Sequence, residues 1–300
     1  MLRKLLESQG YAFVGRSSAV KICTWTKKSL KDKDFCYKQK FYGIESHRCC
    51  QMSPSVGFCQ NKCIYCWREI DSTIGSFMRK YDDPKELIDN CILAQRKLLS
   101  GFGGDQEVNK AKLKEAKNPR HFAISLTGDP LIYPKINDLI QEVLARHKTA
   151  FVVTNGLLPG KLETLTPPTQ LYISIQAPNE KLHKAIAHPI YKDAWQRQQK
   201  SLKLLKEFKG KTRTVLRLTA IKGINMVEPE NYSKLIRLAE PDFVELKAYM
   251  FVGSSRMRLS MANMPLHEDI VEFSTKIAKE SGYKIKDEKK ESRVVLLTPG

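Results

Sequence analysis

Three hundred residues with 42% hydrophobic content are enough to bury a full core, and no run nears the roughly 18 apolar residues of a membrane span. Fifty-one basic residues against thirty-two acidic ones give a net charge of +19, which implies a polyanionic partner, nucleic acid first. Met1–Ser8 lacks an apolar leader core, so a secreted chain is not expected. The expected location is the cytoplasm, where thiols stay reduced and clustered cysteines favour metal over disulfide.

In chain order, residues 1–9 read as a short amphipathic helix ended by Gly10. From Gly15 to Pro54 there is little periodicity and too few apolar residues for an independent core. That stretch holds Cys23, Cys36, Cys49 and Cys50, the first three spaced thirteen apart. A metal centre on Cys23, Cys36 and Cys49 would order it, with Cys50 able to replace Cys49. His47 is a conceivable fourth ligand but reads better as a hydrogen-bonded loop histidine. Residues 1–55 also carry eleven Lys or Arg against four acids, which puts basic surface beside these cysteines.

Next comes Gly57-Phe-Cys59-Gln-Asn-Lys-Cys63-Ile-Tyr65-Cys66-Trp67-Arg68. With eight cysteines in the chain, spacings of four and three arise by chance roughly once in a thousand. Three close thiolates can hold an iron–sulfur cluster by three irons and leave the fourth open to a small molecule. Zinc normally takes four ligands, with pairs two to four residues apart, and fits a triplet less well.

Pro84–Leu99 reads as a helix with Pro in its first turn and an apolar face that includes Cys91. Strands are expected around Val56 and at His121–Leu126, Ala150–Val153, Leu171–Ile175, Thr214–Thr219 and Phe243–Tyr249. Helices are expected near Pro134–His147, Lys192–Phe208 and Pro229–Ala239. Six strand–helix units imply an α/β fold, an incomplete (β/α)6 TIM-like barrel whose site lies at the strand ends. The expected division is an N-terminal basic extension over 1–55, a core over 56–260, and a C-terminal helix and strand over 261–300. Ser125-Leu-Thr-Gly128-Asp129-Pro130, Thr154-Asn155-Gly156 and Ser174-Ile-Gln-Ala-Pro178 recur at successive strand ends. Each alone is an ordinary turn.

The Cys-x3-Cys-x2-Cys triplet resembles the signature of the radical S-adenosylmethionine (SAM) enzymes. Across most of its length the chain further resembles the tRNA 4-demethylwyosine synthase family, in the archaeal form without a flavodoxin domain. The resemblance rests on Lys21-Ile-Cys23, Cys36–Ile44, Ser46–Cys49, the triplet with Trp67, Ser125–Pro130, Thr154–Gly156 and Gln170–Ser174. It continues through Pro189 with Trp195, Thr219–Asn225 and Glu245–Pro265. Departures are the additional Cys50 and Asp129, where relatives often carry Glu.

That resemblance implies a reaction and a set of roles. The substrates would be phenylalanine tRNA bearing N1-methylguanosine beside the anticodon, and pyruvate, with an external one-electron donor of flavodoxin or ferredoxin type. A deoxyadenosyl radical would remove a hydrogen from the N-methyl group, the carbon radical would add to pyruvate, and ring closure would give 4-demethylwyosine. Cys59, Cys63 and Cys66 would hold the SAM cluster, and Cys23, Cys36 and Cys49 a second [4Fe-4S] cluster. By similarity, Tyr65 lies near the adenine, Gly128 and Asp129 near the methionine amino group, Asn155 near the ribose, and Ser174 and Arg217 near SAM. Lys38 would form a Schiff base with pyruvate, with Lys40 the runner-up. The target base would be splayed out and stacked on an aromatic such as Phe41, Tyr42 or Trp67. Lys110–Arg120 and Lys203–Lys222 are candidate phosphate contacts. The competing readings are another radical SAM enzyme with an auxiliary cluster, and a zinc-containing RNA-binding protein without catalysis.

Overall fold

A computed structural model describes residues 2–300. They form two compact units, each assembled from two separate stretches of chain. The first takes the residues up to Phe58 together with Ile74–Val153, and the second takes Cys59–Thr73 together with Thr154–Gly300. No described helix is long and apolar enough to cross a membrane.

The first unit begins with α1 (Leu2–Ser8), β1 (Ala12–Phe13), β2 (Ala19–Lys21), α2 (Thr24–Leu30), α3 (Tyr37–Tyr42) and β3 (Cys49–Ser53). After Ile74 follow α4 (Pro84–Leu99), α5 (Lys110–Ala116), β4 (His121–Ile124), α6 (Ile136–Ala145) and β5 (Thr149–Thr154). Strands β1, β2 and β3 pair antiparallel, and β3, β4 and β5 pair parallel. Helix α4 forms over the span its sequence predicts. Asp83 caps it by accepting from the Lys85 and Glu86 amides, Pro84 opens it, and Leu87, Ile88, Cys91 and Leu99 form its buried face.

One expectation for this unit is refined and one is corrected. The stretch from Gly15 to Pro54 is ordered by two strands and two short helices, and it buries Ala19, Val20, Leu30 and Tyr37. Leu30 packs with Leu99 and Leu113, so its apolar partners come from distant sequence. The strand expected around Val56 lies earlier, at Cys49–Ser53. Pro54 has no amide hydrogen to continue the ladder, and Val56 is instead buried in a turn with Leu6, Tyr11 and Leu126.

The second unit contains α7 (Pro159–Glu163), β6 (Gln170–Ile175), α8 (Glu180–Ala187), α9 (Ala194–Leu205), β7 (Arg213–Ala220), α10 (Pro229–Ala239) and β8 (Phe243–Ala248). It closes with α11 (His267–Ser281), β9 (Tyr283–Lys289) and β10 (Val294–Pro299). Strands β6, β7 and β8 are parallel; β10 pairs antiparallel with β8, and β9 antiparallel with β10. Register places Ser174, Arg217 and Glu245 side by side on three neighbouring strands. Each unit thus has three mutually parallel strands, six in number as the sequence pattern predicts. Strand β9, with Lys and Asp or Glu at most positions, gives no apolar signal and is absent from the sequence expectation.

Candidate functional site

In the second unit, the loop carrying Cys59, Cys63 and Cys66 is tied to α8 and the residues after it by backbone bonds. Lys62 N donates to Ala187 O at 2.8 Å, Ile64 N to Ile186 O at 2.9 Å, and Ile190 N to Gln60 O at 2.9 Å. A turn between Cys66 N and Cys63 O (3.0 Å) brings those two residues together. Burial pushes the Cys63 thiol well above its ordinary range, and the neighbouring Cys59 and Cys66 thiols push it further. Burial also raises the Cys66 thiol. Two desolvated sulfurs with a third beside them are poor thiolates unless a cation sits among them, so this donor set fits an iron cluster.

Beside Cys59 lies a group of side-chain amides. Asn155 directs its Nδ2 toward Cys59 Sγ at 3.8 Å and donates to Gln60 Oε1 at 2.8 Å, while its Oδ1 accepts from Leu157 N at 2.9 Å. Gln198, wholly buried on α9, donates to Asn155 O (3.2 Å), Ser174 O (3.2 Å) and Gln176 Oε1 (3.1 Å). Tyr65 reaches the same group through Gln176, and burial raises its hydroxyl well above the usual range. Asn61, between Cys59 and Cys63, is 3% exposed, and its amide oxygen and nitrogen have no partner among the described residues. A buried amide without partners is costly unless a ligand completes it, so this pocket of polar atoms fits a polar cofactor.

The predicted site residues of this unit therefore converge in part. Tyr65, Asn155 and the Ser174 carbonyl share the Gln176–Gln198 network beside the triplet. Arg217 instead donates to the fully buried Glu245 carboxylate at 2.9 Å and stacks on Tyr172. Gln60 and Gln198 escaped the sequence reading. For Gln198 there was a signal, because it stands on the stripe Ala194, Gln198, Ser201, Leu202, Leu205 that α9 buries.

Within the first unit, Cys23 and Cys36 occupy the N-cap positions of α2 and α3, and Cys49 opens β3. The Cys49 thiol is pushed well above its ordinary range by burial first, then by Cys23 and Cys36, and is drawn back by the Lys38 ammonium. Cys23, Cys36 and Lys38 thus all lie close enough to act on Cys49. Lys38 also sits 5.2 Å over the Phe151 ring. Cys50 points to the opposite face of β3, is fully buried, and hydrogen-bonds Cys91, which removes it as an alternative ligand. His47 bonds Glu115 Oε2 at 2.5 Å, which supports the loop-histidine reading over ligation.

Gly128 has φ +72°, and a Cβ there would lie 2.1 Å from the Ser55 carbonyl oxygen. Asp129 is 2% exposed and accepts from Leu131 N at 3.0 Å, capping a short helical turn. Both residues have structural work within their own unit. Of the basic candidates, Lys112 pairs with Asp32, Arg120 with Glu45, Lys206 and Lys209 with Glu240, and Lys222 with Asp269. Trp67 is 40% exposed, whereas Phe41 is half-buried and packs edge-on against Tyr37 and Tyr42.

Residues 53–236 match the Radical SAM superfamily, and residues 238–299 match the family described as Wyosine base formation. The SAM-dependent tRNA 4-demethylwyosine synthase of Pyrococcus horikoshii is 49% identical over 98% of this chain and 87% of its own. A structure of TYW1 with a lysine–pyruvate adduct bound superposes with a TM-score of 0.89 at 36% identity, covering 99% of this chain and 94% of that one. A crystal structure of archaeal TYW1 gives 0.81 at 33% identity, with the same coverage. These likenesses bear out the expected fold, an incomplete barrel of the radical SAM type.

Proposed function

The chain belongs to the tRNA 4-demethylwyosine synthase family of radical SAM enzymes, and from that premise we propose the substrates and the residues that handle them. It is a SAM-dependent enzyme of tRNA modification whose chemistry runs on an iron–sulfur cluster. The proposed conversion takes N1-methylguanosine beside the anticodon of phenylalanine tRNA, together with pyruvate, to the tricyclic base 4-demethylwyosine.

Cys59, Cys63 and Cys66 would hold a [4Fe-4S] cluster, and Asn155, Tyr65 and the Gln176–Gln198 network would orient SAM beside it. When bound, that pair supplies the radical that removes a hydrogen from the N-methyl group, after one electron arrives from an external donor. Roles for Gly128, Asp129, Ser174 and Arg217 toward SAM are part of the same proposal. A second [4Fe-4S] cluster is assigned to Cys23, Cys36 and Cys49, within the N-terminal extension of residues 1–55. Lys38 Nζ would attack the pyruvate ketone with loss of water, and the resulting imine holds the two-carbon unit that is transferred. The reducing chemistry of two such clusters suits the cytoplasm.

The grouping of Cys49, Cys23 and Cys36 around the Lys38 ammonium carries the finer reading. A radical enzyme acting only through SAM has no need of a second thiol set with an amine beside it. The test is nucleoside analysis after anaerobic incubation of the reconstituted protein with methylguanosine-bearing tRNA, SAM, dithionite and pyruvate. The tricyclic nucleoside is expected only when all four are present. Cleavage of SAM with the methylguanosine left intact would overturn the proposal.

A further inference from the structure

The segment Tyr249-Met-Phe-Val-Gly-Ser-Ser-Arg-Met-Arg258 follows β8 and has no role in the reaction as described so far. Within the second unit it lies directly on the cluster loop. Gly253 has φ +60°, and a Cβ there would stand 2.2 Å from the Trp67 carbonyl oxygen, so only glycine allows this approach. Ser254 Oγ donates to Arg68 O at 2.6 Å, and Ser254 N to Trp67 O at 3.2 Å. Ser255 is fully buried and ties the segment to itself through Val252 O (2.6 Å) and Tyr249 Oη (3.0 Å). Arg258 then spans the loop, donating from Nε to Ile64 O at 3.1 Å and from Nη2 to Cys66 O at 2.7 Å.

We propose that Arg258, held by the 249–258 strap, is a positioning residue that fixes the peptide units around Cys66 and makes the SAM-binding cluster easier to reduce. The inference rests on the cluster assignment to Cys59, Cys63 and Cys66. A trans peptide directs its N–H opposite to its C=O. By holding the carbonyls of Ile64 and Cys66, Arg258 therefore turns the amides of Tyr65 and Trp67 away from itself, to the other side of the turn. Donors aimed at cluster sulfurs raise a cluster's reduction potential. A guanidinium suits this task because its planar fork serves two carbonyls at once, which an ammonium on a flexible stem does not. The strap also falls in the region matching the wyosine family, so the family-specific part of the chain reaches into the general radical machinery.

The test uses the full-length reconstituted chain and compares wild type with R258Q and R258K. The readout is the reduced fraction of the cluster whose electron paramagnetic resonance signal shifts on SAM addition, followed in a redox titration. R258Q is expected to hold wild-type iron and to lose about tenfold in the ratio of reduced to oxidised cluster at fixed ambient potential, about 59 mV for one electron. R258K, which keeps the charge but not the two-point grip, is expected to fall between them. If both variants bind wild-type iron and titrate at the wild-type potential, the proposal is wrong. Should R258Q fail to fold, the position of R258K decides: a wild-type potential overturns the proposal and a lowered one supports it. A wild-type protein that shows no SAM-sensitive signal at all would instead sink the cluster assignment.

Discussion

Cys50 hydrogen-bonds Cys91 of α4 from the face of β3 opposite to Cys49. Adjacent residues on a strand point to opposite faces, so only one of these two cysteines can join Cys23 and Cys36. Replacing Cys50 by Ala is expected to leave iron at about eight atoms per chain, the content of two four-iron clusters, at a stability cost of about 1 kcal/mol. Cys49→Ala is expected to lose about four of those irons. Iron analysis after reconstitution decides, and a Cys50 variant that loses four irons would reverse the assignment.

The Lys38 ammonium acts on the Cys49 thiol and also lies over the Phe151 ring. Lys38→Ala is expected to abolish the modified nucleoside while retaining SAM cleavage, and to eliminate borohydride-trapped labelled pyruvate. Lys40→Ala is expected to trap pyruvate as the wild type does. Undiminished trapping in the Lys38 variant would move the Schiff base elsewhere.

Arg217 neutralises Glu245, whose side chain is wholly buried. Arg217→Met removes this cation from the enclosed carboxylate, and a loss of about 3 kcal/mol in urea unfolding is expected. The double variant Arg217→Met with Glu245→Leu should recover most of the loss, since the penalty belongs to the buried charge. If Arg217→Met unfolds at the wild-type urea concentration but fails to bind SAM, Arg217 acts on the cofactor instead.

His183 on α8 is fully buried beside Trp195, and burial lowers its pKa to about 4. Its folded pKa lies below the unfolded value of about 6.5, so the unfolded chain binds the extra proton first. The stability this group contributes is complete above about pH 6.5 and is lost as pH falls toward 4, by on the order of 3 kcal/mol at full extent. His183→Phe should flatten that part of the profile relative to wild type. Acid loss of thiolate ligands is common to both proteins and cancels in the comparison, so parallel profiles would contradict the prediction.

Local signals made much of this protein legible in its sequence. The triplet and the helices α4 and α10 announce themselves locally, through ligand spacing, apolar periodicity and an opening proline. What escaped depends on partners far along the chain. The choice between Cys49 and Cys50 needs the strand's register as well as the Cys spacing. Gln60 acquires meaning only when Asn155 arrives beside it, and Arg258 only when its fork meets the carbonyls of Ile64 and Cys66. The N-terminal stretch reads as coreless because Leu30 finds its neighbours at Leu99 and Leu113.

The triplet segment folds with a unit whose remaining residues begin at Thr154. On a translating ribosome, Cys66 is therefore made roughly 190 residues before the Arg258 that grips its carbonyl, an interval of about ten to forty seconds at ordinary elongation rates. For nearly half of that time the chain lacks even Asn155, and the backbone partners at Ile186 and Ala187 come later still. The grip on the Ile64 and Cys66 carbonyls can therefore close only after synthesis has passed the strap.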